Sequence, residues 1–346
     1  MTEEEQEKQD HEKNVDLSSG EIGYLWETYQ YESLASCGIQ YFLSNVDDQQ
    51  IQILLEEALG LSETRLSQIT DILTKENYPI PQGFTDDDVN LNAPRLFSDK
   101  LYIEYLLHTL QMELVFYSSA MLGVAKLNIQ TFYQQVIEDT MKLEMKTKEL
   151  MKKKGLLIRD PIVPTPKKVE FVEKNSFLAG WFGNKRPLLA MEIALLAYNA
   201  KRNTLGHAVI TAFSQVAQSK EVSRFFSQGR EIAQNHIEVF TNVLHNDDLG
   251  NASMLLTAEI TDSTEAPFSD KLMMNFITML IASSLGEYGS AMSMSPRRDL
   301  GLMYTRLMAK IAQYSNEGAE LLIKNGWMEQ PPMAADRQTL IQKENK

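Results

Sequence analysis

The feature that most constrains this chain is a repeat inside it. Phe97-Ser98-Asp99-Lys100-Leu101 recurs as Phe268-Ser269-Asp270-Lys271-Leu272, at an offset of 171 residues. The same offset carries Glu21-Ile22 onto Glu192-Ile193, Tyr117 onto Tyr288, Tyr133 onto Tyr304, Gly155 onto Gly326 and Pro161 onto Pro332. A register held without a gap from residue 21 to residue 161 marks a tandem duplication. Each copy is long enough to bury a core of its own, so the 346 residues divide into two domains.

Gly and Pro are sparse, at 17 and 11 residues, and the apolar positions recur at helical spacing, which predicts an all-α chain. Four helices are expected per repeat. Ser18 with Glu21 reads as a capping box, Asp47 or Asp48, Ser98, Ser219 and Ser269 as further N-caps, and Pro187 as a first-turn residue. Asn128 and Ser295-Pro296 are expected to start the fourth helix of each repeat, and Gly155 and Gly326 to end it. Within each repeat the first and third connections are short and the second is long. A long crossover lets the second and third helices run parallel, the ferritin-like topology; an up-down bundle with a long flexible loop is the alternative. The expected organisation is a disordered acidic tail over 1–16, a first bundle over 17–161, a packed connector over 162–186, a second bundle over 187–335 and a polar tail over 336–346.

A formal charge of −14 repels phosphate, which argues against nucleic acid as a partner. The lone Cys37 cannot form an internal disulfide, and its helical context reads as buried packing. The charged N-terminus lacks the apolar stretch of a signal peptide, and no run suits a transmembrane helix. A cytoplasmic or spore-associated location is therefore expected, the second of these only from the resemblance described next.

Gly83-Phe84-Thr85, Asn92-Ala93-Pro94-Arg95-Leu96-Phe97-Ser98-Asp99, Ser176-Phe177-Leu178-Ala179-Gly180-Trp181-Phe182-Gly183, Lys185-Arg186-Pro187-Leu188 and Asn325-Gly326-Trp327 resemble a bacterial domain-of-unknown-function family of tandem ferritin-like bundles, similar to spore coat protein F. The resemblance covers about residues 17–340. It implies endospore-forming bacteria and a coat or sporulation association, and no established activity.

Ferritin-like bundles raise the question of a di-metal site, which needs inward carboxylates and Glu-x-x-His pairs. None of the five histidines has Glu three residues before it. The apolar stripes are instead broken by other polar residues. Counted along helices rising ~1.5 Å per residue, Glu32 and Arg65 stand at one depth, with Tyr117 and Tyr133 level with them. Asn203, His236, Tyr288 and Tyr304 form the equivalent set, with His207 about one turn away. One polar layer per bundle is expected, with a Glu–Arg pair at its centre in the first. The competing reading is a divalent metal held by His207, His236 and Glu287; a small-molecule pocket beside the layer is a third.

No nucleophile elbow, phosphate loop, dinucleotide fingerprint or Cys-x-x-Cys is present. The connector carries Phe177, Trp181 and Phe182, too many large apolar residues for a flexible linker. These residues are expected to glue the bundles together or to engage a partner. The sequence reads as a non-enzymatic structural protein without a cofactor that works through protein partners or self-association. A metal-binding or small-ligand module is the alternative.

Overall fold

The computed structural model describes residues 16–179, 185–250 and 256–344. Among them are nine α-helices: α1 (Ser19–Leu43), α2 (Gln49–Lys75), α3 (Asp99–Gly123), α4 (Leu127–Lys153), α5 (Ala190–Val216), α6 (Lys220–His245), α7 (Asp270–Ser293), α8 (Arg298–Lys324) and α9 (Arg337–Glu344). Helices α1–α4 and α5–α8 form two four-helix units that match element for element.

Local sequence explains most of the boundaries. Ser18 and Glu21 make the capping box of α1, and Asp48, Ser98, Ser219 and Ser269 accept backbone N–H groups at the starts of α2, α3, α6 and α7. Gly155 and Gly326 have φ of +68° and +69°. In both, the glycine N–H and the next N–H bond back to the last turn (Gly155 to Lys152, Leu156 to Met151; Gly326 to Ile323, Trp327 to Leu322), a helix stop that favours a residue without Cβ. The fourth helices begin elsewhere than expected. Lys126 and Arg297, rather than Asn128 and Ser295, are the N-caps, and neither supplies a side-chain bond. The cap comes from far away: Glu21 accepts from Ala125 and Lys126 N–H at 3.0 and 2.7 Å, and Glu192 from Arg297 N–H at 3.3 Å.

Those bonds also settle the topology. The Asp99 carboxylate accepts from the N–H groups of Asp47 and Asp48, and Asp270 from those of Gln218 and Ser219. The third helix of each unit thus starts beside the start of the second, while its end lies beside the start of the first. The second and third helices run parallel, joined by a crossover that returns along the length of the bundle.

The two crossovers interlock across a pseudo-twofold axis. Val89 bridges to Phe268 and Phe97 to Ile260, both antiparallel. The Asp88 carbonyl and carboxylate accept from the Ser269 N–H and hydroxyl at 3.0 and 2.7 Å, and Lys271 Nζ lies 3.3 Å from the same carboxylate. Glu259, its equivalent, does the same for Ser98 and Lys100, at 2.9, 2.7 and 2.9 Å. Tyr105 and Phe276, equivalent positions, face each other with ring centroids 5.7 Å apart. Each of these contacts is reciprocated, as in an isologous dimer interface, and a hydrophobic core extends through both units.

That interlock changes the expected role of the connector. Residues 162–176 are exposed rather than packed between the bundles, with Val169 and Phe171 each 88% accessible. The space they were expected to fill is taken by the crossovers and the Tyr105–Phe276 contact. Trp181 and Phe182 lie outside the described residues, as does the tail up to residue 15. The expected polar tail after 335 forms α9, and Asp336 accepts from Gln338 and Thr339 N–H at its start.

Candidate functional site: two buried polar layers

In the first unit, all four helices send a polar group to one level. Arg65 on α2 donates from Nη1 to Glu32 Oε1 on α1 at 2.8 Å and to Glu113 Oε2 on α3 at 3.1 Å. Its Nη2 donates to Thr140 Oγ1 on α4 at 2.7 Å. Tyr117 donates its hydroxyl to Glu32 Oε1, and Tyr31 to Glu113 Oε1 at 3.2 Å. Tyr133 sits 6.2 Å from the Tyr117 ring but bonds to Thr28 rather than to the pair. All of these side chains except Tyr31 are buried, Glu32 completely.

Burial works against the charge on Arg65, and Glu32, Tyr117 and Glu113 overcome it, so its pKa stands well above the ordinary arginine value. Burial pushes Glu113 up to about 7; Arg65 pulls it down and Glu32 pushes it further up. A guanidinium thus lies between two carboxylates from different helices, the position where a cation would otherwise balance them.

The second unit carries different chemistry at the same level. Asn203, His236, Ser284 and Ile311 replace Glu32, Arg65, Glu113 and Thr140. Asn203 Nδ2 donates to the Tyr288 hydroxyl at 2.8 Å, which sits 3.0 Å from His236 Nδ1. Tyr304 faces Asn199, but neither its hydroxyl nor Asn199 Oδ1 closes a hydrogen bond of ordinary geometry. Burial, helped by Lys310, lowers His236 to about 4, so its ring is neutral. His207 is partly exposed and does not join the layer. Glu287 turns to Arg202, with Oε1 3.5 Å from Nη1. The competing metal trio of His207, His236 and Glu287 is therefore not assembled. Among the described residues no group of three or more His, Cys, Asp or Glu could hold a metal ion.

Sequence reasoning missed Glu113, Thr140, Tyr31 and Arg202 as site residues. The inward stripe of α3 runs through Leu110, Glu113 and Tyr117, not through Leu114, and the i, i+4 spacing from Glu113 to Tyr117 was the available signal. Of the connector residues, Phe177 is partly buried beneath the Arg186 guanidinium, whose Cζ lies 4.4 Å from the ring centroid. Arg186 in turn holds Glu192 with two bonds of 2.8 Å.

Two four-helix units locked by reciprocal crossovers, each with a polar layer in its core, define a duplicated all-α bundle protein. The chain belongs to the family described as protein of unknown function DUF3231, whose sequence profile matches residues 7–169 and again residues 176–340. A solved structure from Bacillus halodurans C-125, provisionally described as a spore coat protein, is similar over 44% of this chain and 99% of its own length, at 19% identity and a TM-score of 0.41. No curated protein matches the chain. Among the described residues no helix is long and apolar enough to cross a membrane.

Proposed function

We propose that this chain is a non-enzymatic structural protein, of the spore coat type its sequence strings resemble, and that it works by self-association through the connector. The observation that carries the reading is the exposed apolar run Ile162, Val163, Val169, Phe171 and Val172 on a protein whose net charge is −14. Apolar side chains gathered on an exposed extended segment mark an association site.

The segment favours a second copy of itself. Lys168-Val169-Glu170-Phe171-Val172-Glu173 can pair antiparallel with its own copy, matched at its two outer positions on each side, with Glu170 opposite Phe171 at the centre. Lys168 meets Glu173 of the other copy at both ends, and Val169 meets Val172. Opposite charges and β-branched pairs directly across strands stabilise such an arrangement by about 0.2–1 kcal/mol each. The rigid pseudo-dimer then serves as a block with its attachment segment on the outside. In this reading no cofactor takes part, and the Glu32–Arg65–Glu113 group fixes helix register in the first unit.

Sedimentation velocity over a range of concentrations tests it. The wild type is expected to associate, Lys168→Glu to weaken association, and Lys168→Glu with Glu173→Lys to restore it. A wild-type chain that stays monomeric, or a double variant no better than the single, would refute the reading. Metal analysis of untagged protein purified without chelator tests the alternative. Near-stoichiometric metal that is lost on His236→Ala would replace the structural reading with a metal-binding one.

A further inference from the structure

The duplication provides an internal control for the core of the second unit. Where the first unit places Glu32, Arg65 and Glu113, the second has the shorter Asn203, His236 and Ser284. Beside these residues lies a cavity of about 80 Å³, whose apolar wall includes Ile210, Ile232, Ile277 and Ile281.

Two of its lining residues, His236 and Arg202, carry buried donors without acceptors. Asn203 Nδ2 already donates to the Tyr288 oxygen, so the tyrosine proton is directed to His236 Nδ1. A neutral imidazole that accepts at Nδ1 carries its proton on Nε2. That Nε2 belongs to a fully buried residue and has no hydrogen-bond partner among the described residues. Arg202, 7% exposed, lines the same cavity. Its Nη2 donates to Ser283 at 2.8 Å, while Nε and Nη1 have no hydrogen-bond partner among the described residues. The Glu287 contact to Nη1 is an ion pair at 3.5 Å and leaves both donors unmet. Buried donors left without acceptors are costly, and they select a ligand that brings acceptors.

We propose that the second unit binds a short-chain monocarboxylate here. Its carboxylate would accept from His236 Nε2 and Arg202, and its alkyl tail would lie among the isoleucines. A guanidinium suits a carboxylate by charge and by geometry. The volume limits the tail, since one water needs about 10–15 Å³ on this kind of measure, leaving room for a handful of non-hydrogen atoms. Arg202 and His108 also line a groove of about 470 Å³ between the two units, which supplies the route in. The first unit has no such chemistry, because Arg65 already meets its carboxylates from within the chain.

The test uses the full chain, with sodium butyrate as probe and butyramide, of equal shape and no charge, as control, at constant ionic strength. Calorimetric titration is expected to show saturable binding of butyrate and none of butyramide. His236→Phe and Arg202→Met should each weaken butyrate at least tenfold. Gly206→Leu fills the cavity from a position where an added Cβ meets nothing within 4 Å, and it should abolish binding with helix content unchanged. That variant decides the matter if either of the others fails to fold. No saturable binding of butyrate, equal binding of butyramide, or butyrate binding that survives Gly206→Leu would each overturn the proposal.

Discussion

Arg65→Met removes one guanidinium from between two buried carboxylates, and its consequences can be worked from the structure. The arginine makes three bonds, to Glu32, Glu113 and Thr140. Methionine fills much of the space and satisfies none of them. Breaking a buried pair by removing one partner costs about 3–5 kcal/mol, because the other charge stays behind. Here the stranded charge can be removed by taking up a proton. Glu113 already does so near neutrality, with a pKa of about 7 that Arg65 holds down; without Arg65 it keeps its proton to higher pH. Relative to wild type that adds about 1.4 kcal/mol for each pH unit above ~7. The penalty is expected to be about 3–5 kcal/mol at pH 5 and about 1 kcal/mol larger at pH 8. Urea unfolding of both proteins at the two pH values, followed by circular dichroism and tyrosine fluorescence, reads the difference. An equal loss at pH 5 and pH 8 would refute the charge argument, and no loss at pH 8 would refute the pair itself. Arg65→Met with Glu32→Leu and Glu113→Leu should recover most of the stability, since replacing a whole buried ionic group by apolar side chains is often neutral or favourable.

Glu113→Gln should change the pH dependence of stability rather than its level at low pH. The folded pKa of about 7 lies above the unfolded one, so the native state holds a proton that the unfolded state releases. That contribution is complete below ~4.3 and fades as pH rises toward 7, and a titration of stability identical to wild type between pH 5 and 7 would count against it. Asp88→Ala and Glu259→Ala each remove a helix-start partner supplied by the other unit and should each cost about 1–2 kcal/mol in urea titration; a loss of only a few tenths would show that the crossover lock is weak. Trypsin should cut the exposed connector at Lys167, Lys168 or Lys174, and the two halves should still co-elute in gel filtration, whereas separation of the halves would mean that the connector holds the units together. Gly229→Ala places a Cβ 2.2 Å from the Tyr314 hydroxyl and 2.4 Å from Ile210 Cδ1, and should cost about 1–3 kcal/mol by overpacking; an unchanged melting temperature would refute that contact.

How much was legible in the sequence depended on how local the cause is. The helix starts set by Ser18, Asp48, Ser98, Ser219 and Ser269 were readable because a short polar side chain bonds within its own first turn. The starts of α4 and α8 were not, because Glu21 and Glu192, over a hundred residues away, do the capping. Glu32 and Arg65 could be brought to one level by counting helical rise from a shared turn. Glu113 escaped because it stands next to Leu114, and a stripe drawn through apolar residues passes over a buried acid. The unit–unit contact was the least legible part. Its reciprocal bonds pair positions 159–183 residues apart, and the aromatic residues of the connector suggested packing that the crossovers had already supplied.

The pattern of divergence between the units separates scaffold from site. In a dimer of identical chains, equivalent residues cannot differ; fusion removes that restriction. The positions that hold the architecture together have nevertheless stayed alike. Asp99 and Asp270 are the same residue, as are Glu21 and Glu192, and Asp88 and Glu259 are both acids making equivalent bonds. The layers have not stayed alike, since a Glu–Arg–Glu group stands against Asn–His–Ser. Exchanging the cap acids would unlatch both bundles at once. Exchanging the layer residues leaves topology untouched and changes only charge and free volume in one core. A property shared by both units must therefore rest on the caps and crossovers, which build a rigid block. A property that distinguishes them must lie in the layers, and in the second a buried donor, His236 Nε2, has no hydrogen-bond partner among the described residues.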